Sequence, residues 1–131
     1  MNNKERGTQF EKRMCRILAE QGWWTHFIEP KMNGAQPFDI IAVKDGVAVA
    51  IDCKTSAKET FSISRLEDNQ IYAFEKWMAC GNNIPQVFIE YRDSVYCVDY
   101  TVLKENGRLK LKEGENGVYC FGKYQGGKSD K

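Results

Sequence analysis

Apolar positions along this chain follow two different periods, and the switches between them outline its elements. Over residues 5–21, Phe10, Met14, Ile17 and Leu18 recur at helical spacing among charged residues, and Gly22 supplies a stop, which predicts an amphipathic helix. The aromatic and β-branched run 23–29 predicts a strand, and the Pro-, Gly- and Asn-bearing stretch 30–37 a loop. Two short apolar runs, 38–43 and 47–53, then flank Lys44-Asp45-Gly46. Asp-Gly in that place signals a hairpin closed by a type I′ turn, whose two central residues both need positive φ. The polar, small-residue stretch 55–63 reads as a loop. Ser64 followed by Glu67 fits a capping box, which would open a second helix. That helix carries Leu66, Ile71, Phe74, Trp77 and Met78 as its apolar stripe and runs to about Cys80, with Gly81 at its end. Strands are predicted at 86–91 and 94–100 around an Arg92-Asp93 turn, a short helix at 101–105 and a last hairpin near 108–121.

The order αβββαββ implies an α/β (α+β) fold with a mixed central β-sheet flanked by helices. A length of 131 residues fits one domain, taken as 1–122, with a flexible tail over 123–131. No apolar run approaches the roughly 18–20 residues needed to cross a bilayer, and the polar N-terminus lacks the apolar core of a signal peptide. No membrane partner and a cytoplasmic location are therefore expected. The five cysteines, Cys15, Cys53, Cys80, Cys97 and Cys120, are widely spaced and include no Cys-x-x-Cys pair, so neither a disulfide framework nor a structural zinc site is expected, and they read as small buried residues. Net charge is only +1, so bulk charge does not announce a nucleic-acid binder. Its distribution is less even: Lys4, Arg6, Lys12, Arg13 and Arg16 crowd the first helix.

The hairpin changes this picture. If Asp45-Gly46 is a two-residue turn, Lys44 opposes Val47, and Asp39 then opposes Asp52 with β-carbons about 4.5–5.5 Å apart. Lys54 lies two residues beyond Asp52 and emerges on the same face. Both strands are otherwise apolar, as interior strands are. Two opposed acids in such a place repel unless a counter-charge offsets them, and a divalent cation with Lys54 alongside would do so. Hard carboxylate oxygens suit Mg²⁺ or Mn²⁺, and the arrangement suits phosphodiester hydrolysis. The bland reading is that both acids sit at exposed strand ends and Lys54 pairs with one of them.

Pro37-Phe38-Asp39 followed by Asp52-Cys53-Lys54 resembles the signature of the PD-(D/E)xK nuclease superfamily. Its company is more specific. Gly7-Thr8-Gln9-Phe10-Glu11 opens the preceding helix and Glu67-Asp68-Asn69-Gln70 starts the next, a set similar to Holliday-junction resolvases of the archaeal Hjc type and the bacterial RecU type. The resemblance implies a restriction-endonuclease-like fold and a Mg²⁺-dependent endodeoxyribonuclease, with Mn²⁺ substituting, that resolves branched double-stranded DNA in recombination and repair. It implies Asp39 and Asp52 as principal metal ligands, Glu11 as the helical acid completing the site, the Cys53 backbone carbonyl as a further ligand, Lys54 as the catalytic lysine and Gln70 as a contact to metal-bound water or phosphate. Thr55, Ser56 and Lys58, in the segment after the lysine, are implied DNA contacts, joined by Lys4, Arg6, Arg13 and Arg65. A homodimer is implied because symmetrical cutting of a junction needs two active sites.

Two departures stand out. Many resolvases carry Glu where this chain has Asp52, and only the loop 30–37 occupies the position of the long RecU stalk. The same core would also serve a restriction-like or repair nuclease, or a non-catalytic DNA-binding module. Taken singly, Glu11 would pair with Arg16 and Gln70 would be an ordinary polar face residue. His26 and Phe61 would pack locally, and Trp23 and Trp24 would point to opposite faces of a strand.

Overall fold

The computed structural model describes residues 2–30, 36–115 and 117–123. Helix α1 (Asn3–Glu20) starts at Asn2, whose side chain accepts from the Glu5 N–H while the Glu5 carboxylate takes the Asn2 N–H, a capping box that begins the helix two residues before the periodicity does. It ends before Gly22, which adopts φ +97°. Strands β1 (Trp24–Phe27), β2 (Ile40–Lys44) and β3 (Val47–Ser56) follow. The β2–β3 turn has positive φ at both Asp45 (52°) and Gly46 (79°), as the Asp-Gly signal requires.

Next come β4 (Thr60–Ser62), a 3₁₀ turn (Ile63–Arg65) and helix α2 (Asp68–Ala79), then β5 (Gln86–Tyr91) and β6 (Ser94–Asp99). The chain closes with α3 (Tyr100–Asn106), β7 (Arg108–Lys110) and β8 (Val118–Lys123). Six strands form one sheet in the order β1-β2-β3-β5-β6-β8, and β4 and β7 form a second, two-stranded one. The α2 crossover brings β5 in parallel to β3, and every other neighbouring pair is antiparallel, so the central sheet is mixed, as predicted.

Each face of the sheet has its own core. Phe10, Met14 and Leu18, at helical spacing on α1, pack on Ile40, Ala42, Ile51, Cys53 and Phe88. On the other face, Phe74 of α2 joins Phe38, Ala50, Val87, Ile89, Tyr100 and Leu103, with Phe61 of β4 and Leu109 of β7 closing one end. Burying each large apolar side chain contributes roughly 1.5–3 kcal/mol, so α1 and α2 hold firmly to opposite faces of β3.

Three local expectations are corrected. Ser64 does not cap α2: Leu66 is extended, the N-cap is Glu67, and Ser62 instead caps the 3₁₀ turn by accepting the Ser64 N–H. Residues 55–63 are not simply a loop, because pairing with β5 carries β3 on to Ser56, and Thr60–Ser62 pairs with β7. Strands do occupy the 108–121 region but not as a hairpin: Leu109 and Leu111 turn into the α2-side core, so β7 pairs with β4 while β8 pairs with β6. The short helix at 101–105 is present as α3. All five cysteines are free, but only Cys53 is buried; Cys15, Cys97 and Cys120 are half-buried and Cys80 is exposed. Of the expected tail, residues 124–131 lie outside the described residues, as does 31–35 of the loop before Asp39. Among the described residues no helix is long and apolar enough to cross a membrane.

Candidate active site

Strand β3 alternates its side chains, with Ile51 and Cys53 facing α1 and Ala50 facing α2. Asp52 and Lys54 therefore point toward the N-terminus of α2. The antiparallel ladder with β2 keeps the predicted register to its last pair, Ile40↔Ile51. Asp39 lies one step beyond it and does not continue the ladder to Asp52. Its N–H goes instead to the Ile51 carbonyl (3.0 Å), its carbonyl takes the Ile28 N–H (2.8 Å), and its Oδ2 accepts from the Cys53 N–H at 2.8 Å. The side chain thus occupies a place a backbone acceptor would fill in a longer ladder. Phe38 fixes the approach: it is buried against Phe74 and Trp77, with ring centroids 5.8 and 5.7 Å away. Asn69 of α2 adds a hydrogen bond to the Gln36 carbonyl (2.8 Å).

Asp39 (4% exposed) and Asp52 (0%) are the two buried acids of the described chain, and they lie side by side. Burial raises the Asp39 carboxyl above its ordinary value, opposed by the Cys53 N–H and Lys54. Burial raises Asp52 further, with the charge of Asp39 adding to the effect and Lys54 opposing it. The Lys54 ammonium stands 3.2 Å from Asp52 Oδ2, within ion-pair range. The angles do not make that contact a hydrogen bond, so Asp52 Oδ2 is a buried oxygen without a hydrogen-bond partner. These acids are not an exposed surface pair, and the bland reading of the hairpin fails on that point.

Gln70 completes the group from α2. Its Nε2 donates to Asp52 Oδ1 (2.8 Å), and its Oε1 accepts from Lys54 Nζ (3.1 Å) and from the Glu67 N–H (3.0 Å). The last bond belongs to the start of the helix, so the same interaction that caps α2 fixes which way the amide faces. Glu11 approaches from α1, and burial together with the Asp39 charge raises its carboxyl to about 7. The Cys53 thiol is raised well above its ordinary value by burial, with Asp39, Asp52 and Glu11 around it. It is a neutral thiol, and the group of Cys53 seen at work here is its N–H on Asp39.

Could these residues hold a divalent cation? The donor set is hard oxygen, and Asp52 Oδ2 is the unsatisfied buried atom that a cation would complete. The residues fit in kind. Among the described residues, however, no three His, Cys, Asp or Glu side chains are grouped as a ready-made cage, and the closest donors are the two aspartates.

The candidate DNA contacts are less uniform. Lys4 and Arg6 are exposed on the first turns of α1. Arg13 is tied to Glu90 of β5, its Nη2 2.5 Å from the carboxylate. The Thr55 carbonyl accepts from Arg65 Nη2 (2.8 Å), the Ser56 hydroxyl closes a turn with Lys58, and Lys58 is exposed. Glu90 and the capping role of Glu67 escape a sequence reading. Glu67 is three residues before Gln70, but glutamate, unlike aspartate, is not among the usual N-cap residues, and Glu90 is remote in sequence from Arg13. Phe61 is buried, Trp23 joins the α1-side core, and Trp24 is exposed and stacked on His26.

Burying two carboxyls side by side where two strands part costs stability, and packing alone does not require it. Comparison with known proteins gives the family. The family model described as archaeal Holliday junction resolvase (Hjc) matches residues 2–120. The crossover junction endodeoxyribonuclease Hjc of Methanocaldococcus jannaschii is 26% identical over 109 residues, 82% of this chain and 77% of the relative. The structure of Archaeoglobus fulgidus Hjc, a Holliday junction resolvase from an archaeal hyperthermophile, shares the fold with a TM-score of 0.59 at 17% identity, over 84% of this chain and 80% of that one. This chain belongs to the archaeal Holliday junction resolvase (Hjc) family.

Proposed function

We propose that this chain resolves four-way DNA junctions by hydrolysing phosphodiesters with the help of Mg²⁺, for which Mn²⁺ substitutes, and that it works as a homodimer in the cytoplasm. The observation that carries the reading is the pair of adjacent buried carboxylates, Asp39 and Asp52, with the Lys54 ammonium 3.2 Å from Asp52.

Asp39 and Asp52 would hold the cation, with Glu11 and the Cys53 carbonyl as further oxygen donors. When bound, the ion supplies Lewis acidity at the phosphate and makes water a better nucleophile at neutral pH. Lys54 offers its remaining N–H groups to the charge that develops on the phosphate oxygens, in a site where partial burial strengthens that interaction. Gln70 bonds both the Asp52 carboxylate and the Lys54 ammonium and has a second Nε2 hydrogen for water or phosphate. Lys4, Arg6, Thr55, Ser56, Lys58 and Arg65 would meet the DNA backbone. Arg13 is bound to Glu90 and contributes there in the first place. Two copies are needed to cut opposed strands symmetrically.

The test is cleavage of a four-way junction, a matched duplex, a flap and single-stranded DNA in Mg²⁺, Mn²⁺ or EDTA. Paired symmetrical nicks in the junction, lost in EDTA and in Asp52→Asn, are the expected result. Equal cleavage of all four substrates would sink junction selectivity. Junction binding with no cleavage in either metal would point to a non-catalytic module.

A further inference from the structure

Just past Lys54, strand β3 ends at Ser56, and the chain turns sharply. The Ser56 hydroxyl accepts the Lys58 N–H (3.2 Å) and donates to the Lys58 carbonyl (2.7 Å), which returns the backbone into β4. Between this turn, β4 and the 3₁₀ turn lies a concavity of about 460 Å³ lined by Ala57, Lys58, Thr60, Ser62, Ser64 and Arg65. Its wall holds two cations and three hydroxyls, and no acid.

The donors in that wall are pre-set. Phe61, one residue into β4, is buried and held in place by pairing with Leu109 of β7. The Arg65 guanidinium lies over the Phe61 ring, 5.2 Å from its centroid, and spends one N–H on the Thr55 carbonyl (2.8 Å). Its orientation is fixed from two sides, and its other N–H groups are left for a ligand. The Ser62 and Ser64 hydroxyls lie 3.0 Å apart and share one hydrogen, which leaves the other free to donate outward. The Lys58 ammonium and the Thr60 hydroxyl have no hydrogen bond or ion pair within the described structure.

We infer that this concavity seats one backbone phosphate of the DNA strand being cut, held by Lys58 and Arg65 with the hydroxyls of Thr60, Ser62 and Ser64. The chemistry matches: cationic and hydroxyl donors are what phosphate oxygens meet in protein–DNA contacts, and such contacts set register without reading sequence. Because Arg65 is anchored to the residue next to Lys54, a phosphate fixed here is at a fixed offset from the one at Asp39 and Asp52. The seat would then determine where along the strand the cut falls. This inference rests on the nuclease reading above and adds to it a specific phosphate and three hydroxyl residues.

The experiment replaces single phosphates near the cut site of a four-way junction with neutral methylphosphonates, one at a time, and measures binding by the wild-type protein and by Lys58→Gln. One replacement outside the cut itself should weaken wild-type binding several-fold, and Lys58→Gln should lose its sensitivity to that replacement alone. Lys58→Gln should also flatten the dependence of log K on log salt by about 0.9, the loss of one phosphate contact. Thr60→Val, which alters only an exposed unpartnered hydroxyl, should weaken binding in the same position-specific way. Identical sensitivity of wild type and Lys58→Gln to every replacement would overturn the seat while wild-type cleavage leaves the nuclease reading standing. A wild-type protein that neither binds nor cuts the junction would overturn both.

Discussion

Gln70 grips Asp52 and Lys54 at once, donating to one at 2.8 Å and accepting from the other at 3.1 Å. Its amide cannot be turned round without placing an N–H against the Lys54 ammonium and against the Glu67 N–H that α2 needs capped. The start of a helix and the orientation of a buried carboxylate are therefore one interaction.

Gln70→Glu tests this directly. The new carboxylate can still accept from Lys54 and Glu67 but meets Asp52 with repulsion where a hydrogen bond stood. Cleavage should fall about 10–100-fold, the usual cost of losing an outer partner of a ligand. Gln70→Leu should lose a similar amount and also destabilise the start of α2. A Gln70→Glu enzyme with unchanged kcat and metal dependence would show that the amide only caps the helix.

Asp52→Asn should abolish cleavage yet raise the thermal stability of the metal-free protein. It removes a buried acid whose ionisation is opposed by burial and by Asp39, while keeping an oxygen for the Gln70 Nε2. A gain of even about 1 kcal/mol shifts Tm by several degrees in a domain of this size. Melting curves in EDTA decide it, and a lowered Tm would mean that the Lys54 ion pair outweighs the repulsion.

Stability should depend on pH through the same cluster. The Glu11 carboxyl is raised to about 7 from an ordinary 4.5, so the folded protein holds this proton more tightly than the unfolded chain does. The resulting stabilisation is complete below about pH 4.5 and is lost as the pH rises through 7. The raised Asp39 and Asp52 carboxyls act in the same sense. In EDTA, Tm should fall between pH 5 and 7.5, and Glu11→Gln should flatten part of that slope. Adding Mg²⁺ should restore stability chiefly at the alkaline end, where the carboxylates are ionised.

Arg13 and Glu90 form a pair, and a double-mutant cycle separates structure from DNA contact. Arg13→Ala and Glu90→Ala should each destabilise the fold, with a coupling of about 1 kcal/mol between them. By tying α1 to β5, the pair also helps set Glu11, so both variants should lower cleavage together. Weaker DNA binding in Arg13→Ala alone, with Glu90→Ala unaffected, would instead mark Arg13 as a backbone contact.

Much of the site was readable in the chain because its parts are local. The Asp45-Gly46 turn sets the β2–β3 register without help from the rest of the protein, and with it the meeting of Asp39 and Asp52. What local pattern could not show is where the ladder stops. Asp39 leaves it because Phe38 is drawn into the α2-side core and the Cys53 N–H finds a side-chain acceptor. The start of α2 departs from its sequence pattern for a related reason: Ser64 and Glu67 fit a capping box in sequence, but Leu66 is extended and buried, so the helix begins after it. The 108–121 strands were visible while their partners were not, since burial of Leu109 beneath Phe61 is a long-range event. The Arg13–Glu90 pair depends on the parallel placement of β5, which no short-range pattern encodes.

The positions of the cysteines have a practical side. Cys53, at the centre of the acidic cluster, is buried and held as a thiol, so it offers negligible thiolate to an alkylating reagent at neutral pH. Cys80, at the far end of α2, is exposed. A maleimide dye should therefore find Cys80 well before Cys53, and the protein carries a ready attachment point for watching single molecules on DNA without entering the chemistry.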